Sequence, residues 1–395
     1  MALGSLKTKT LVCDIGGGSI KVGIAGKLSP DEIVPCLTGC PKYSMRKMSD
    51  PEHVLLVGND ALEKGKHQKI GYRYAMEATG RVQDWKSFER VLEKALQVFC
   101  IPDYSLYKIL ITRPYSMNEE DLKLLVDIFL VNFGFGAVTI HEQAALVLYT
   151  QGVETGVVVE MGESTVNIVP VYKGHAISKL YRSLAVGGRS ITSYLLKLLR
   201  LKGFQLNEKD DLEIGRQIKE GVCYVALDPN VDERLASETS VLKESFKLPD
   251  GTIISVGRER FGAVEALFKP TLCNSESYGL SDMIFDVIKS AEIDCRADLY
   301  CNVILSGGTS LLPGVQERLE RDLNLRYTND ILDGKQSRSL GWRPQVQAPS
   351  SRHHLVFEGA ALFADYISHD EKYWIGREEY LQHGIQRVLD KCTIS

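Results

Sequence analysis

Two rhythms of apolar spacing alternate along this 395-residue chain. Short apolar runs predict strands at Lys9–Asp14 and Ser19–Ala25 around a glycine turn, then at Lys108–Thr112, Val138–Ile140, Val157–Glu160, Thr165–Tyr172 and Asn302–Leu305. Helical spacing fills the intervals. Trp85, Phe88, Val91, Leu92, Ala95, Leu96 and Phe99 recur every three or four residues behind Asp84, a predicted N-cap. Asn118 is expected to cap a helix carrying Leu122, Leu125, Val126, Phe129 and Leu130 on one face and ending near Gly134. Glu142–Tyr149 and Pro313–Leu323 read as helices. Ser190 is expected to cap a leucine-rich helix that stops at Gly203, and Ser281 one that carries Met283, Ile284, Val287 and Ile288. Leu28–Gly71, interrupted by Pro30, Pro35 and Pro41, reads as a small insertion outside the core. Alternation of strands and helices predicts an α/β class.

Two strand–turn–strand segments echo each other without gaps. LVCDIGGGSIKV (11–22) aligns with VVVEMGESTVNI (157–168), setting Asp14 against Glu160, Gly16 against Gly162, Gly18 against Ser164, Ser19 against Thr165 and Lys21 against Asn167. Small residues in such a turn let backbone N–H groups approach an anion. Ser19 and Thr165 add hydroxyl donors, and Lys21 adds a cation suited to phosphate. An acid at the end of the first strand would repel a bare phosphate but can hold a hydrated magnesium ion between them. Asp14 and Glu160 fit that role. A strand follows the glycines, so this is not the dinucleotide fingerprint, and it is not a Walker A loop. Two such turns facing each other would clamp one phosphate chain from both sides. A third segment, ILSGGTSLLPG (304–314), ends a buried strand in Gly307-Gly308 and suits close approach of a nucleoside to backbone.

Length and composition set the frame. A chain this long is expected to form two domains or two halves with insertions. With 44% hydrophobic and 25% charged residues it has the composition of a soluble globular protein. A net charge of −4 argues against nucleic acid or an anionic membrane as main partner. Nine cysteines, an odd count, suggest reduced thiols in a cytosolic or nuclear setting. Cys36 and Cys40 have no second pair nearby, so no zinc site is expected. The opening MALGSLKTKT lacks the apolar core of a signal peptide, and no apolar run approaches a membrane span. His141-Glu142 lacks the second histidine of a zinc protease, since Ala145 stands there. Lys64, Lys66 and Lys69 read as a solvated face of the insertion.

The three glycine-containing segments together resemble the phosphate and adenosine motifs of the actin family, within the larger group that includes sugar kinases and Hsp70 chaperones. The likeness extends over nearly the whole chain, through ITRP (111–114), QAALVLY (143–149), QIKEGVCYVALD (217–228), LPDGTIISVGRERF (248–261), EALFKP (265–270) and DLYCNVILSGGT (298–309). Four segments resemble the actin-related members that start filament branches: SYLLKLLRLKGF (193–204), ETSVLKESFKLPDG (238–251), EIDCRADLY (292–300) and REEYLQHGIQRVLDK (377–391).

The resemblance implies an actin-like ATPase fold with two related halves around a nucleotide cleft. Residues 1–35, 76–150 and 355–395 would form the first half, with 36–75 inserted. Residues 151–186 and 277–354 would form the second, with 187–276 inserted. It implies ATP with magnesium held through waters at Asp14 and Glu160. The phosphate set would be Asp14, Gly16, Gly17, Gly18, Ser19, Lys21, Gly162, Glu163, Ser164 and Thr165. The adenosine set would be Gly188, Arg216, Lys219, Glu220, Gly307, Gly308 and His353. Gln143 would position the attacking water, with Asn167 beside it. The implied partners are a second actin-related subunit, several smaller subunits, actin filaments and nucleation-promoting activators, in the cytoplasm and cytoskeleton.

Several positions depart from the family pattern. Glu160 and Glu163 replace the usual aspartates, and Asn167 replaces a histidine that can take up a proton. Leu312 replaces an aromatic over adenine, and His353 stands where lysine is common. Together they favour slow hydrolysis. A self-polymerising filament protein, a sugar-kinase-type phosphotransferase and a chromatin-remodelling subunit are the competing functions.

Overall fold

The computed structural model describes residues 9–41, 55–65, 70–77, 79–206, 211–249, 251–334 and 343–392. Lys66 and Lys69 lie outside the described residues, and Lys64 is exposed.

The first half opens with β1 (Thr10–Ile15), β2 (Ser19–Ile24) and β3 (Glu32–Pro35), a continuous antiparallel run. The chain then leaves to make a small sheet from β4 (Leu37–Pro41), β5 (Leu56–Val57) and β6 (Ile70–Tyr74), with the short helix α1 (Asn59–Gly65) beside it. It returns through α2 (Trp85–Leu96), β7 (Lys108–Arg113), α3 (Glu119–Asp127), β8 (Ala137–Glu142) and α4 (Gln143–Gln151). Strand β7 adds parallel to β1, and β8 parallel to β7.

The second half repeats this plan. β9 (Gly156–Met161) and β10 (Val166–Tyr172) form an antiparallel hairpin, with β11 (His175–Ala176) and β12 (Arg182–Leu184) on its outer side. Helices α5 (Gly188–Leu201), α6 (Leu212–Val222) and α7 (Pro229–Glu238) follow, then the hairpin β13 (Glu244–Lys247) and β14 (Ile253–Val256) and the single turn α8 (Glu259–Gly262). α9 (Leu280–Ser290) and α10 (Ile293–Cys301) lead to β15 (Val303–Ser306), which adds parallel to β9. Beyond α11 (Val315–Arg326), β16 (Val346–Gln347) adds parallel to β15. Finally α12 (Leu355–Ile367), β17 (Ile375–Gly376) and α13 (Arg377–Cys392) return to the first half, where β17 closes the sheet edge against β8. Strand for strand, β1-β2-β7-β8 and β9-β10-β15-β16 have the same neighbours and directions.

The central strands are apolar over most of their length because both faces of each sheet are covered. In β1, Leu11, Cys13 and Ile15 face one core, while Val12 faces another with Leu110 and Phe357. In β9, Val157, Val159 and Met161 face the large core of the second half, and Val158 faces a cluster with Ala144, Val147, Leu148 and Leu355. Thus α4 and α12 pack together between the two sheets and join the halves.

Most predicted helix starts are present. Asp84 caps α2 through the N–H groups of Lys86 and Ser87, and Asn118 caps α3 through Asp121 N–H. Two caps differ. The helix attributed to Ser190 starts earlier, at Gly188 after Gly187, and its first N–H groups are taken by carbonyls of the second glycine turn. The helix attributed to Ser281 follows Gly279, and the Ser281 hydroxyl donates instead to Asp322 at 3.0 Å. The insertion also begins later than the polar stretch suggests. β3 pairs with β2 in the main sheet, and Val34, Cys36 and Leu37 are buried.

Gly359, in α12, is the tightest point of the join: a methyl there would overlap the Leu146 carbonyl of α4. Gly359→Ala is therefore expected to lower stability by about 1–3 kcal/mol. An unchanged urea midpoint, with the same slope, would show that the α4–α12 contact has room to spare.

Candidate nucleotide-binding site

The two echoed turns are structurally equivalent. Gly16 N–H donates to Ser19 O at 3.2 Å, and Gly162 N–H to Thr165 O at 3.0 Å. Across each hairpin the strand-end acid faces its aligned partner, Asp14 opposite Lys21 and Glu160 opposite Asn167. The tips of the two hairpins meet. A methyl on Gly17 would lie 2.6 Å from Ser164 Oγ, and one on Gly18 2.9 Å from Glu163 Cβ. Glycines at 17 and 18 are what allow this approach. Among the described residues, no backbone carbonyl takes the N–H groups of Gly17, Gly18, Glu163 or Ser164. Four backbone donors are therefore left where the tips meet, groups suited to an anion.

The first turn is braced by its own charges. Asp14 is buried and accepts from Lys21 Nζ at 2.8 Å, Thr112 Oγ1 at 2.8 Å and Gln143 Nε2 at 3.4 Å. Thr112 Oγ1 in turn accepts from Ile15 N–H at 3.1 Å. Gln143 Nε2 also donates to the Ile15 carbonyl at 2.9 Å, so its amide oxygen is the group left to offer a water. Lys21 is already engaged by Asp14, and a phosphate would share it.

The second turn is under-satisfied. Glu160 Oε2 accepts from Asn167 Nδ2 at 3.4 Å, but Glu160 Oε1 is buried with no partner, as is Ser164 Oγ. Burial pushes the Glu160 carboxyl up to about 7; the Asn167 bond opposes this, and Asp14 and Glu142 add to it. Orphaned buried polar atoms are costly. Here they are a carboxylate oxygen and a hydroxyl beside open backbone donors, a set that matches a hydrated cation and a phosphate oxygen. Among the described residues no three His, Cys, Asp or Glu side chains converge to hold a metal directly. The two strand-end acids, Asp14 and Glu160, are both buried at the turns.

Part of the adenosine set gathers behind the second turn. Gly188 N–H donates to Gly162 O at 3.0 Å, and Arg189 N–H to Glu163 O at 2.8 Å. Lys219 is buried with Nζ 2.9 Å from Gly188 O and 3.7 Å from Glu163 Oε2. A methyl on Gly188 would meet Glu163, Thr309 and Lys219 together. Gly307 takes φ +90°, and its N–H donates to Arg352 O at 2.8 Å, next to His353. Gly308 borders open space. Arg216 and Glu220 lie one turn apart on α6 and pair with each other at 2.8 Å, with Glu213 also on Arg216 at 2.6 Å. His353 stacks on His354 with ring centroids 3.7 Å apart; burial first, then Lys21, lowers its pKa. Ser19 follows the first turn at the start of β2, and a methyl on Gly80 would lie 3.6 Å from Thr165 Oγ1.

Leu312 does not cover an open surface; it packs in the core of the second half, and Leu311 is the exposed neighbour. Sequence reasoning also missed Thr112, Thr309 and Arg189. Thr309 Oγ1 donates to Gly162 O at 2.8 Å. The Arg189 guanidinium lies 3.8 Å over the Tyr74 ring and donates to Met76 O at 2.9 Å, tying α5 to the small sheet. Of these only Thr112 left a signal, as a polar residue ending an otherwise apolar strand.

Facing hairpin turns on two matched α/β halves are the architecture that the actin-family resemblance implies. The Actin family profile matches residues 5–393, so the chain belongs to the actin family. Among curated relatives it is similar to actin-related protein 2 of Acanthamoeba castellanii, at 37% identity covering 98% of this chain and 99% of the relative. The Caenorhabditis briggsae actin-related protein 2 is 37% identical, over 98% of each chain. The Arabidopsis thaliana one is 36% identical, over 97% of this chain and 98% of the relative. Among the described residues no helix is long and apolar enough to cross a membrane.

The raised carboxyl of Glu160 carries a pH signature. Its folded pKa, about 7, lies above the ordinary 4.5. The folded state therefore holds an extra proton between these values, and stability falls as pH rises through that window. In nucleotide-free protein, Glu160→Gln should flatten this slope and be more stable than wild type at pH 7.5, by on the order of 2 kcal/mol. Denaturation at pH 5 and pH 7.5 checks this; parallel pH profiles for both proteins would contradict it.

Proposed function

We propose that this chain is the ATP-binding, actin-related subunit of a complex that nucleates branched actin filaments. It acts with a second actin-related subunit as a mimic of a filament end, together with smaller subunits and activating proteins, in the cytoplasmic cytoskeleton. The observation that carries this reading is the end-to-end similarity to actin-related protein 2 from three distant organisms. ATP is the ligand that suits the facing turns. Gly16–Ser19, Lys21 and Gly162–Thr165 would hold its phosphates. Asp14 and Glu160 would hold the waters of its magnesium, whose charge offsets that of the phosphates. Gly188, Arg216, Lys219, Glu220, Gly307, Gly308 and His353 would surround the nucleoside.

In this reading ATP serves chiefly as a conformational ligand. It bridges the two turns and so stabilises the closed arrangement of the halves, shifting the population of an assembly-competent state. Gln143 has an amide oxygen to orient a water, but Asn167 cannot accept its proton. Turnover is accordingly slow. Asn167→His should raise single-turnover ATP hydrolysis at least about tenfold. An unchanged rate would refute this account of Asn167.

The assembly claim is tested by purifying the chain with its associated subunits and adding monomeric actin and an activator. Branched filaments seen by fluorescence microscopy are the expected result. An intact complex that makes no branches would overturn the reading. Pelleting of the isolated chain with ATP and magnesium would point instead to a self-polymerising filament protein.

A further inference from the structure

Asn167 is held by its cross-strand neighbour Ser183 and by a second group, Tyr181, that its place in the strand does not explain. Its Oδ1 accepts two hydrogen bonds, from the Tyr181 hydroxyl at 3.0 Å and the Ser183 hydroxyl at 2.9 Å. Its Nδ2 donates to Glu160 Oε2 at 3.4 Å, so the amide nitrogen faces Glu160 and the oxygen faces the two hydroxyls. The amide is therefore fixed in one orientation. Ser183 does this from the adjacent strand β12, wholly within the second half. Tyr181 does not act from one half alone. Its ring packs on Tyr115 with centroids 4.9 Å apart, and both Ser116 and Ser183 act on its phenol. Tyr115 and Ser116 follow β7 in the first half. Both rings also border the cluster formed by α4, α12 and the second sheet, where the halves join.

We propose that Tyr181 is a positioning residue that couples the relative placement of the two halves to the nucleotide site, by orienting the Asn167 amide beside Glu160. The phenol has one proton, which it gives to Asn167, and lone pairs to accept from Ser116. When the halves move apart, Tyr115 and Ser116 withdraw from Tyr181. Asn167 then loses one of the two donors that fix it, and Glu160 loses its oriented partner. Conversely, a ligand that immobilises Glu160 and Asn167 favours the placement of Tyr181 that packs on the first half. Such reciprocity is required of any coupling between two equilibria. The nucleotide arm of the test rests on the ATP reading above; the coupling itself does not.

Two measurements on the full-length chain decide the matter. The first is the dissociation rate of magnesium-bound etheno-ATP, followed by fluorescence. Tyr181→Phe keeps the ring and removes the hydroxyl, and should speed release about three- to tenfold, the worth of one hydrogen bond. In an Asn167→Ala background the same change should have little further effect, because the hydroxyl acts through the amide. The second is hydrogen exchange without nucleotide. Tyr181→Phe and Asn167→Ala should each raise exchange in residues 113–117 of the other half. Ser183→Ala should raise it less, because Ser183 meets the amide from within the second half. Wild-type release rates in Tyr181→Phe, full additivity with Asn167→Ala, or equal exchange changes in Ser183→Ala would each overturn the proposal. If the wild-type chain retains no etheno-ATP, the ATP reading fails while the exchange arm still decides the coupling.

Discussion

The whole arrangement depends on two hairpin tips coming close enough to touch. Gly17 and Gly18 carry no side chains, so Glu163 and Ser164 can lie directly against them. That approach brings open backbone donors from both turns to one place. It also fixes the distance between the halves at the cleft floor, while α4 and α12 fix it at the join. Each sheet needs its first strand buried on both faces for the hairpin end to reach this point, and β1 and β9 are buried along their length, apolar except for Thr10 and the strand-end acids Asp14 and Glu160. The turns are rigidly supported from behind. Thr112 and Gln143 hold the first; the start of α5, Thr309 and Lys219 hold the second.

The two turns are not equally content. Asp14 is fully engaged by Lys21, Thr112 and Gln143, whereas Glu160 Oε1 and Ser164 Oγ have no partner. A ligand with phosphate oxygens and an accompanying cation would satisfy the second turn while bridging to the first. Binding energy is thereby directed into holding the halves together. In the proposed reading, Asn167, its oxygen committed to Tyr181 and Ser183, favours keeping such a ligand over consuming it.

Local pattern made much of this legible. The gapless echo of residues 11–22 and 157–168 became two hairpins with matching registers, because strand pairing is set by neighbours a few residues apart. The apolar runs and the Asp84 and Asn118 caps carried over for the same reason. What sequence reasoning missed depends on contacts between distant segments. Ser190 was expected to cap a helix whose first N–H groups are instead satisfied by the carbonyls of Gly162 and Glu163. Leu312 was assigned to a cleft surface but packs into the core of its half. Arg189 reaches Met76 across 113 residues of chain, and Tyr181 meets Tyr115 across the join. Nothing in the local sequence at either position announces its partner.

The most direct test of the account is titration of magnesium ATP into the full-length chain and into Gly17→Val, followed by calorimetry. A valine side chain at 17 would occupy the space of Ser164 Oγ and hold the tips apart. The account predicts one bound nucleotide per wild-type chain, and affinity at least about a hundredfold weaker in a variant that still folds, a difference near 3 kcal/mol. Equal affinity in the two proteins, or no binding by the wild type, would contradict the claim that the facing turns clamp a nucleotide.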